Sequence, residues 1–248
     1  MQNRTQWDNQ KKYTMNILAI GSHPDDVEIA CGGTLILYAS AGHKVSMCNI
    51  SNGNMGHAVI MPEELREIRK KESEAAAKVI GADHYLIDLG DGHVEASNKA
   101  ARERLIEVIR CTKPDVIITH NSDDYMRDHI QASKMAYDAS FIATLPHLIT
   151  ESAHTMVFPP VYYMDTLAGI GFLPTEYVDI SNVIEQKLEA VACHESQIKW
   201  MLDHDHIDFL DFIRTCNKFR GLQCSVTYAE GFRQYAGWPR FRTARVLP

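Results

Sequence analysis

The sequence has no Cys-x-x-Cys pair, no long apolar run and no excess of basic residues. Its six cysteines are scattered, and several lie in apolar segments, where a reduced cysteine acts as a small hydrophobic residue. No apolar stretch approaches the roughly 20 residues that a membrane-spanning helix needs. With 25 basic and 32 acidic residues the net charge is −7, which argues against nucleic acid as the main partner. These absences predict a cytoplasmic protein without a membrane span.

The N-terminus also lacks the apolar core of a secretory signal. Residues 1–13 are polar and the regular pattern begins near Met15, so we expect a flexible arm over residues 1–14. The rest of the chain has no repeat, low-complexity tract or long linker. A chain of 248 residues can form one large domain with a sizeable core. We therefore predict a single domain over residues 15–248.

Strand and helix patterns alternate through the first half of the chain. Short apolar runs stand between helical patterns, as in a buried parallel sheet with helical crossovers. The predicted strands are 16–21, 44–50, 84–89, 115–119, 161–164 and 177–180. The predicted helices are 27–41, 62–80, 98–111, one that follows His129, 181–194 and 206–220. The predicted fold class is α/β, with a Rossmann-like open, mostly parallel sheet and helices on both faces.

The predicted topology brings two polar segments together. In an open parallel sheet, ligands bind beyond the carboxyl ends of the strands, where the strand order reverses. In the common orders this point lies beside the first strand, often between it and the fourth. The first strand leads into His23-Pro24-Asp25-Asp26, and the fourth leads into a polar loop that ends at His129. We expect these segments to meet.

The side chains of these segments are metal ligands by type. His23 and Asp26 are three residues apart at a strand-to-helix turn, so both can point at one ion, and His129 supplies a third ligand. Two imidazoles, one carboxylate and an open position for water are typical of a catalytic zinc site. The same set also describes an Fe(II) site. Asp25 is then free to act as general base on the attacking water.

A structural interpretation of the same turn competes with this one. Asp25, followed by Glu28 three positions later, resembles a helix capping box, and Pro24 suits a chain that enters a helix. Capping leaves His23 and the second carboxylate, Asp26, unexplained.

The His23-Pro24-Asp25-Asp26 signature after a first strand resembles that of the PIG-L/LmbE-like deacetylases. These zinc enzymes remove acetyl groups from N-acetylglucosamine-type sugars. The likeness extends from about Met15 to Tyr235. Its further motifs are Gly32-Gly33-Thr34, Arg69-x-x-Glu72, Ala75-Ala76-Ala77, Asp91-Gly92, Asp128-His129, Lys187, His194-x-Ser196-Gln197 and Tyr228-Ala229-Glu230-Gly231-Phe232-Arg233. Any one of these is weak evidence, but together and in this order they are specific.

The resemblance implies roles for the residues of the two segments. His23, Asp26 and His129 would be the zinc ligands. Asp25 would be the general base, which then passes its proton to the departing amine. We also place Asp128, which precedes the third ligand, among the catalytic residues.

We predict substrate contacts at five positions, one of which is Tyr125. By the resemblance, Arg69 and Asp91 would contact sugar hydroxyls. The alternatives are an ion pair of Arg69 with Glu72 on a helix surface, and a simple turn at Asp91. The loop after the second strand leaves the same sheet edge as the ligands, so we expect Asn54 and His57 to contact the sugar as well.

One position departs from the family pattern. Many members have His-Pro-Asp-His where this chain has Met126-Arg127-Asp128-His129. The first His of that motif is thought to stabilise the oxyanion. Met126 cannot donate a hydrogen bond, and losing one such donor costs about a hundredfold or more in rate. Either zinc alone suffices, or His194, Tyr125 or Arg127 is the donor. His194 is the first candidate because it lies in a family motif; helix packing is the alternative.

The predicted function is metal-dependent removal of the N-acetyl group from a small N-acetylated aminosugar or its glycoside or conjugate, with one zinc per chain. An amidase acting on a thiol-sugar conjugate and a non-catalytic metal- or sugar-binding module are the alternatives. A metal phosphoesterase would need more carboxylates for two ions. Since family members often assemble, we expect a homo-oligomer.

Overall fold

The computed structural model describes residues 14–238 and 240. Within this part seven strands form one sheet. In chain order they are β1 (Asn16–Gly21), β2 (Lys44–Ser51), β3 (Asp83–Leu89), β4 (Val116–Thr119), β5 (Val161–Met164), β6 (Glu176–Asp179) and β7 (Ala229–Gln234). Their spatial order is β3-β2-β1-β4-β5-β7-β6. The predicted N-terminal arm lies outside the described residues, apart from Thr14.

The strand directions confirm the predicted class. β1 is parallel to β2 on one side and to β4 on the other, with Ile17 opposite both Val45 and Val116. The pairs β2–β3 and β4–β5 are also parallel, and β7 runs antiparallel between β5 and β6. The strand order therefore reverses between β1 and β4, as expected. The carboxyl ends of these two strands lie side by side at one edge of the sheet.

The helices cover both faces of the sheet. In the described residues they are α1 (Asp26–Ser40), α2 (Pro62–Ile80), α3 (Lys99–Thr112), α4 (Arg127–Ile142), α5 (Ile184–Ala192), α6 (Glu195–Asp205) and α7 (Phe209–Cys224). One core cluster joins the sheet to α1, α2, α5 and α7, and the other joins it to α3 and α4. Ile17 of β1 belongs to the first cluster and Leu18 to the second, because successive side chains point to opposite faces. None of the described helices combines the length and the apolar character that crossing a bilayer requires.

Two elements, β7 and α6, are not predicted by the sequence patterns. The β7 sequence has no β-branched residue and contains Gly231, so its intrinsic strand propensity is low. Its pairing with β5 and β6 holds it in the sheet instead. Helix α6 buries only Ser196 and therefore has no apolar stripe to reveal it. Helix α4 begins at Arg127, which places His129 in its first turn and not before it.

Candidate active site

Three candidate ligand side chains converge where the strand order reverses. His23 follows β1, Asp26 begins α1, and His129 lies in the first turn of α4. One donor atom from each lies within 4.8 Å of the others. Nδ1 of His23 is 3.3 Å from Oδ2 of Asp26, and Nε2 of His129 is 3.3 Å from Oδ1 of the same carboxylate. The fold therefore brings together the three residues that the sequence predicts as ligands.

The chemistry of His129 fits a metal ligand. Its Nδ1 lies 3.1 Å from Oδ2 of Asp124, while its buried Nε2 has no hydrogen-bond partner. A histidine that donates Nδ1–H to a carboxylate presents the lone pair of Nε2, which is the usual arrangement behind a metal-bound imidazole. Sequence reasoning missed Asp124. Its signal was an acidic residue five positions before His129 in a polar loop.

Electrostatics keeps Asp26 ionised at the centre of this cluster. Burial raises the pKa of Asp26, but His129, His120 and His23 outweigh burial and hold it well below the usual range. Burial lowers the pKa of His129, whereas Asp26 and Asp124 raise it to about 9. A cation bound here would take the place of the protons that these imidazoles hold.

His120 is a second residue that sequence reasoning missed. It follows β4 directly, and its ring stacks on that of His129 with centroids 3.9 Å apart. Its Nε2 accepts the Ser22 backbone N–H at 2.9 Å and lies 3.1 Å from Oδ2 of Asp26. Burial and His129 lower the pKa of His120 to about 4, so it is a neutral neighbour. The signal was a histidine at the end of a buried strand.

Asp25 is placed as a buried carboxylate beside the ligands. Its backbone has φ 101°, a left-handed conformation that aspartate adopts only where surrounding structure requires it. Oδ2 of Asp25 accepts a hydrogen bond from Nη2 of Arg69 at 2.9 Å. Burial raises the pKa of Asp25, Arg69 lowers it, and Asp26 raises it, giving a value of about 6. Such a group is ionised at pH 7 and can still accept and release a proton.

The capping-box interpretation of this turn is wrong. Asp25 is the residue before α1, but its side chain makes no cap hydrogen bond. The carboxylate is held by Arg69 instead, and Glu28 pairs with His194 through an Oε1–Nε2 distance of 2.9 Å.

The Arg69 side chain has three hydrogen-bond partners around Asp25 and also lines the cavity described below. Its guanidinium donates to Asp25, to the Pro24 carbonyl at 2.5 Å and to the Gly53 carbonyl at 3.3 Å. With these partners the buried side chain holds Asp25 in position, and its contact to a sugar remains a prediction. The alternative surface pair with Glu72 is wrong, because Glu72 accepts from the backbone N–H and hydroxyl of Ser196.

Asp91 and Asp128 both face His23. Nε2 of His23 lies 3.0 Å from Oδ1 of Asp91 and 3.4 Å from Oδ2 of Asp128. The Gly92 N–H also donates to Oδ2 of Asp128 at 2.8 Å, with Gly92 at φ +73°. Asp91 lines the cavity described below, and Asp128 does not. Asp128 is therefore placed to orient His23 and the turn at Gly92.

Three predicted contacts lie away from the cavity lining. Oδ1 of Asn54 accepts the Asp91 backbone N–H at 3.0 Å, so Asn54 shapes the loop that carries Asp91. Nδ1 of His57 accepts two backbone N–H groups of its own loop at 3.1 Å each. The Tyr125 side chain is exposed. None of the three is among the residues that line the cavity, so the cavity gives their predicted contacts no support.

His194 does not lie where it could replace the oxyanion donor that many family members have at the position of Met126. Its side chain has no exposure, pairs with Glu28 and does not line the cavity. The alternative, helix packing between α1 and the start of α6, describes it better. Met126 does line the cavity, and its thioether cannot donate a hydrogen bond there.

A cavity of about 500 Å³ opens over these residues. It exposes His23, Asp25, Asp26, His120 and His129 at one end and continues toward α7. Gly56, Asp91 and Gln197 also line it. Gln197 belongs to the His194-x-Ser196-Gln197 motif, and the sequence predicts no role for it.

Comparisons with known proteins agree with this geometry. Residues 18–140 match the sequence profile of the family described as PIG-L: GlcNAc-PI de-N-acetylase. A 1D-myo-inositol 2-acetamido-2-deoxy-alpha-D-glucopyranoside deacetylase of Nocardioides sp. is 30% identical, over 75% of this chain and 84% of the relative. A 4-oxalmesaconate hydratase of Pseudomonas putida is 26% identical, over 73% of each chain. The structure of N,N'-diacetylchitobiose deacetylase from Pyrococcus horikoshii, complexed with its inhibitor MPG, matches with a TM-score of 0.77 and 26% identity, over 88% of this chain and 83% of that one.

Fold and site define an α/β protein with a candidate metal centre at a strand switch point. The chain belongs to the PIG-L family, as the match to the Nocardioides deacetylase and the family profile show.

Proposed function

We propose that this protein is a metal-dependent hydrolase that removes the N-acetyl group from a small N-acetylated aminosugar, or from its glycoside or conjugate. The products are acetate and a free amine. The observation that carries the proposal is the convergence of His23, Asp26 and His129 on one point beside Asp25, all facing one cavity. The names of two relatives, both deacetylases of N-acetylated sugars, support the choice of substrate.

His23, Asp26 and His129 are the residues that would hold the metal. Two imidazole nitrogens and one carboxylate oxygen suit zinc, and hydrolysis without electron transfer favours it over Fe(II). When bound, the metal supplies Lewis-acid polarisation of the amide carbonyl and of the attacking water. Asp124 and Asp91 hold the two imidazoles in position from behind.

Asp25 is the proposed proton carrier. Its carboxylate takes a proton from the attacking water and gives it to the nitrogen of the departing amine, so the group is unchanged after one turnover. Arg69 fixes one oxygen of this carboxylate, and the other remains for the proton. Asp91 is the proposed contact to a sugar hydroxyl, because its carboxylate lines the cavity next to His23.

The test is acetate release from a panel of N-acetylated aminosugars by the purified protein. We expect release to stop after chelation and to return with zinc, with Fe(II) tested separately under reducing conditions. Metal content is measured in parallel, so that loss of the metal is seen independently of activity. Release that survives complete removal of the metal contradicts the proposal.

The panel also separates the alternatives. One family relative is a hydratase, so an unsaturated carboxylic acid belongs in the assay, with loss of its absorbance as the readout. Thiol-sugar amides test the amidase alternative, and phosphate release tests a phosphoesterase. Stoichiometric metal with no turnover of any substrate favours a binding module. The cytoplasmic location and the homo-oligomer remain predictions from the sequence.

A further inference from the structure

The cavity is much longer than the metal cluster at its end. It follows one face of α1, because Asp26, Ile29 and Ala30 line it, and the last two are three and four residues from the first. Glu230, which accepts the Gly33 N–H at 2.8 Å, lines the cavity as well. Four residues of helix correspond to about 6 Å. Along α1 the cavity therefore runs about one helical turn beyond Asp26.

The wall of this extension is apolar. The extension is lined by Ile29 of α1, Met201 of α6, and Phe209, Phe212 and Ile213 of α7. Ile29, Met201 and Phe212 are half-buried and pack against the inner core, although core side chains around them are fully covered. Their open surface lines the cavity. An apolar, pre-formed recess of this kind recognises an apolar group, since few polar atoms compete for it.

The charged groups at the far end are already paired. Arg220 donates to both oxygens of Asp165, at 2.5 and 3.0 Å. Oε1 of Glu230 accepts from Lys187 at 2.7 Å, and Oε2 accepts the Thr34 N–H at 2.7 Å. With each charge neutralised by a neighbour, the far end offers no free charge to an ionic ligand. An uncharged chain can bind here without the desolvation penalty that an unpaired charge would carry.

We propose that this extension binds an unbranched apolar group of the substrate, attached close to the scissile amide. The proposal rests on the proposed function, which places the amide at the candidate metal centre. Two parts of an aminosugar derivative could carry the group: an N-acyl chain longer than acetyl, or an alkyl aglycone on the sugar. The shared chemistry is a flexible hydrocarbon chain that lies beside α1 and against the apolar side chains of α6 and α7.

The first experiment measures kcat/KM of the metal-loaded protein in two series. One series is N-acyl glucosamines from acetyl to octanoyl, and the other is alkyl glycosides of N-acetylglucosamine from methyl to octyl. Each buried methylene is worth about 0.8 kcal/mol, so we expect about a fourfold rise per added methylene in one series until the chain fills the recess. The series that rises identifies which part of the substrate enters. A flat or falling response in both series overturns the proposal.

A variant pair tests whether the chain lies beside α1. Ala30→Leu places a larger side chain in this apolar extension of the cavity, the recess. For each protein we compare kcat/KM for the best long-chain substrate with kcat/KM for the shortest member of the same series. We expect this ratio to fall at least tenfold in the variant. Ala75→Leu is the matched control, because Ala75 is an exposed position inside α2, and its ratio should equal that of the parent. If Ala30→Leu does not fold, Phe212→Ala at a half-buried position of the same wall takes its place, again with a falling ratio. An unchanged ratio in a folded recess variant overturns the proposal.

A binding measurement separates this proposal from the proposed function. Asp25→Asn, loaded with zinc, is titrated calorimetrically with N-acetyl- and N-octanoylglucosamine and with octyl N-acetylglucosaminide. If one of the two long-chain compounds binds more tightly than N-acetylglucosamine, the proposed role of the recess is supported. This holds even if no substrate turns over, and in that case only the proposed hydrolysis fails. If short substrates turn over and a longer chain improves neither the rate nor the binding, the proposed hydrolysis stands. The proposal that the recess binds an apolar chain then fails.

Discussion

Oδ2 of Asp124 lies 3.1 Å from Nδ1 of His129, and the other nitrogen of that imidazole is buried without a hydrogen-bond partner. The carboxylate fixes both the orientation and the tautomer of the ring. His129 is thereby prepared to offer Nε2 to a cation. The same carboxylate accepts the Met126 backbone N–H through Oδ1 at 2.9 Å, so it also holds the start of α4 in place.

The first prediction concerns this pair. Asp124→Asn removes the charge behind His129 and should weaken zinc binding by about tenfold to a hundredfold, the usual effect of losing a carboxylate behind a metal-bound histidine. Competition with a chromogenic chelator measures the affinity. Asp123→Asn is the control, because Asp123 is the exposed neighbour in the same loop. Equal affinities of the two variants would remove Asp124 from the site.

The second prediction concerns Arg69, which holds Asp25 and lowers its pKa. Arg69→Gln should leave zinc content intact but reduce kcat by about a hundredfold through misplacement of the base. Arg69 lowers the pKa of Asp25, which is about 6 in the parent, so the acid limb of the kcat/KM profile should lie at higher pH in the variant than in the parent. Arg66→Gln, which breaks an exposed pair with Asp88 one turn earlier, is the control.

The original interpretation of Arg69 as a sugar contact predicts a different outcome. In that case KM rises with little change in kcat, and the acid limb stays where it is. The pH profile and the separation of kcat from KM therefore decide between the two roles.

The third prediction concerns Met126, whose side chain lines the cavity next to the candidate ligands. Met126→His supplies a donor where the chain has none, and we expect kcat for acetamide cleavage to rise by about a hundredfold. Met126→Leu keeps the apolar character and should leave kcat near its parental value. A histidine variant that folds and binds zinc but gains nothing would show that another group stabilises the oxyanion.

The fourth prediction is a pH dependence of stability from His194 and Glu28. Burial lowers the pKa of His194, but Glu28 outweighs burial and raises it above its ordinary value. A histidine whose pKa is raised on folding stabilises the folded state fully below the unfolded pKa of about 6.5, and this stabilisation is lost as the pH rises through the folded value.

Denaturation of the metal-free protein between pH 6 and pH 9 tests this prediction. Glu28→Gln keeps a hydrogen-bonding group but removes the charge, so the free energy of unfolding of the variant should lie below that of the parent at pH 6 and approach it at higher pH. A difference that is constant across the range would mean that His194 does not hold a proton in the folded protein.

The sequence by itself determined the α/β class, most of the sheet and the identity of the candidate ligands. Short continuous apolar runs such as Ile17–Ile20, standing between helical patterns, indicate strands buried on both faces, and short-range spacing places His23, Asp25 and Asp26 at one strand end. Only the tertiary structure decided what stands behind these residues. Arg69 and Asp124 hold their partners through contacts set by the packing of whole helices, and His194 pairs with Glu28 across 166 residues. Strand β7 exists because β5 and β6 pair with it, and the recess beside α1 exists because the fold brings side chains of α1, α6 and α7 around one cavity. Such long-range contacts leave no periodic trace in a single sequence, because periodicity records which face of an element is buried but not what covers it.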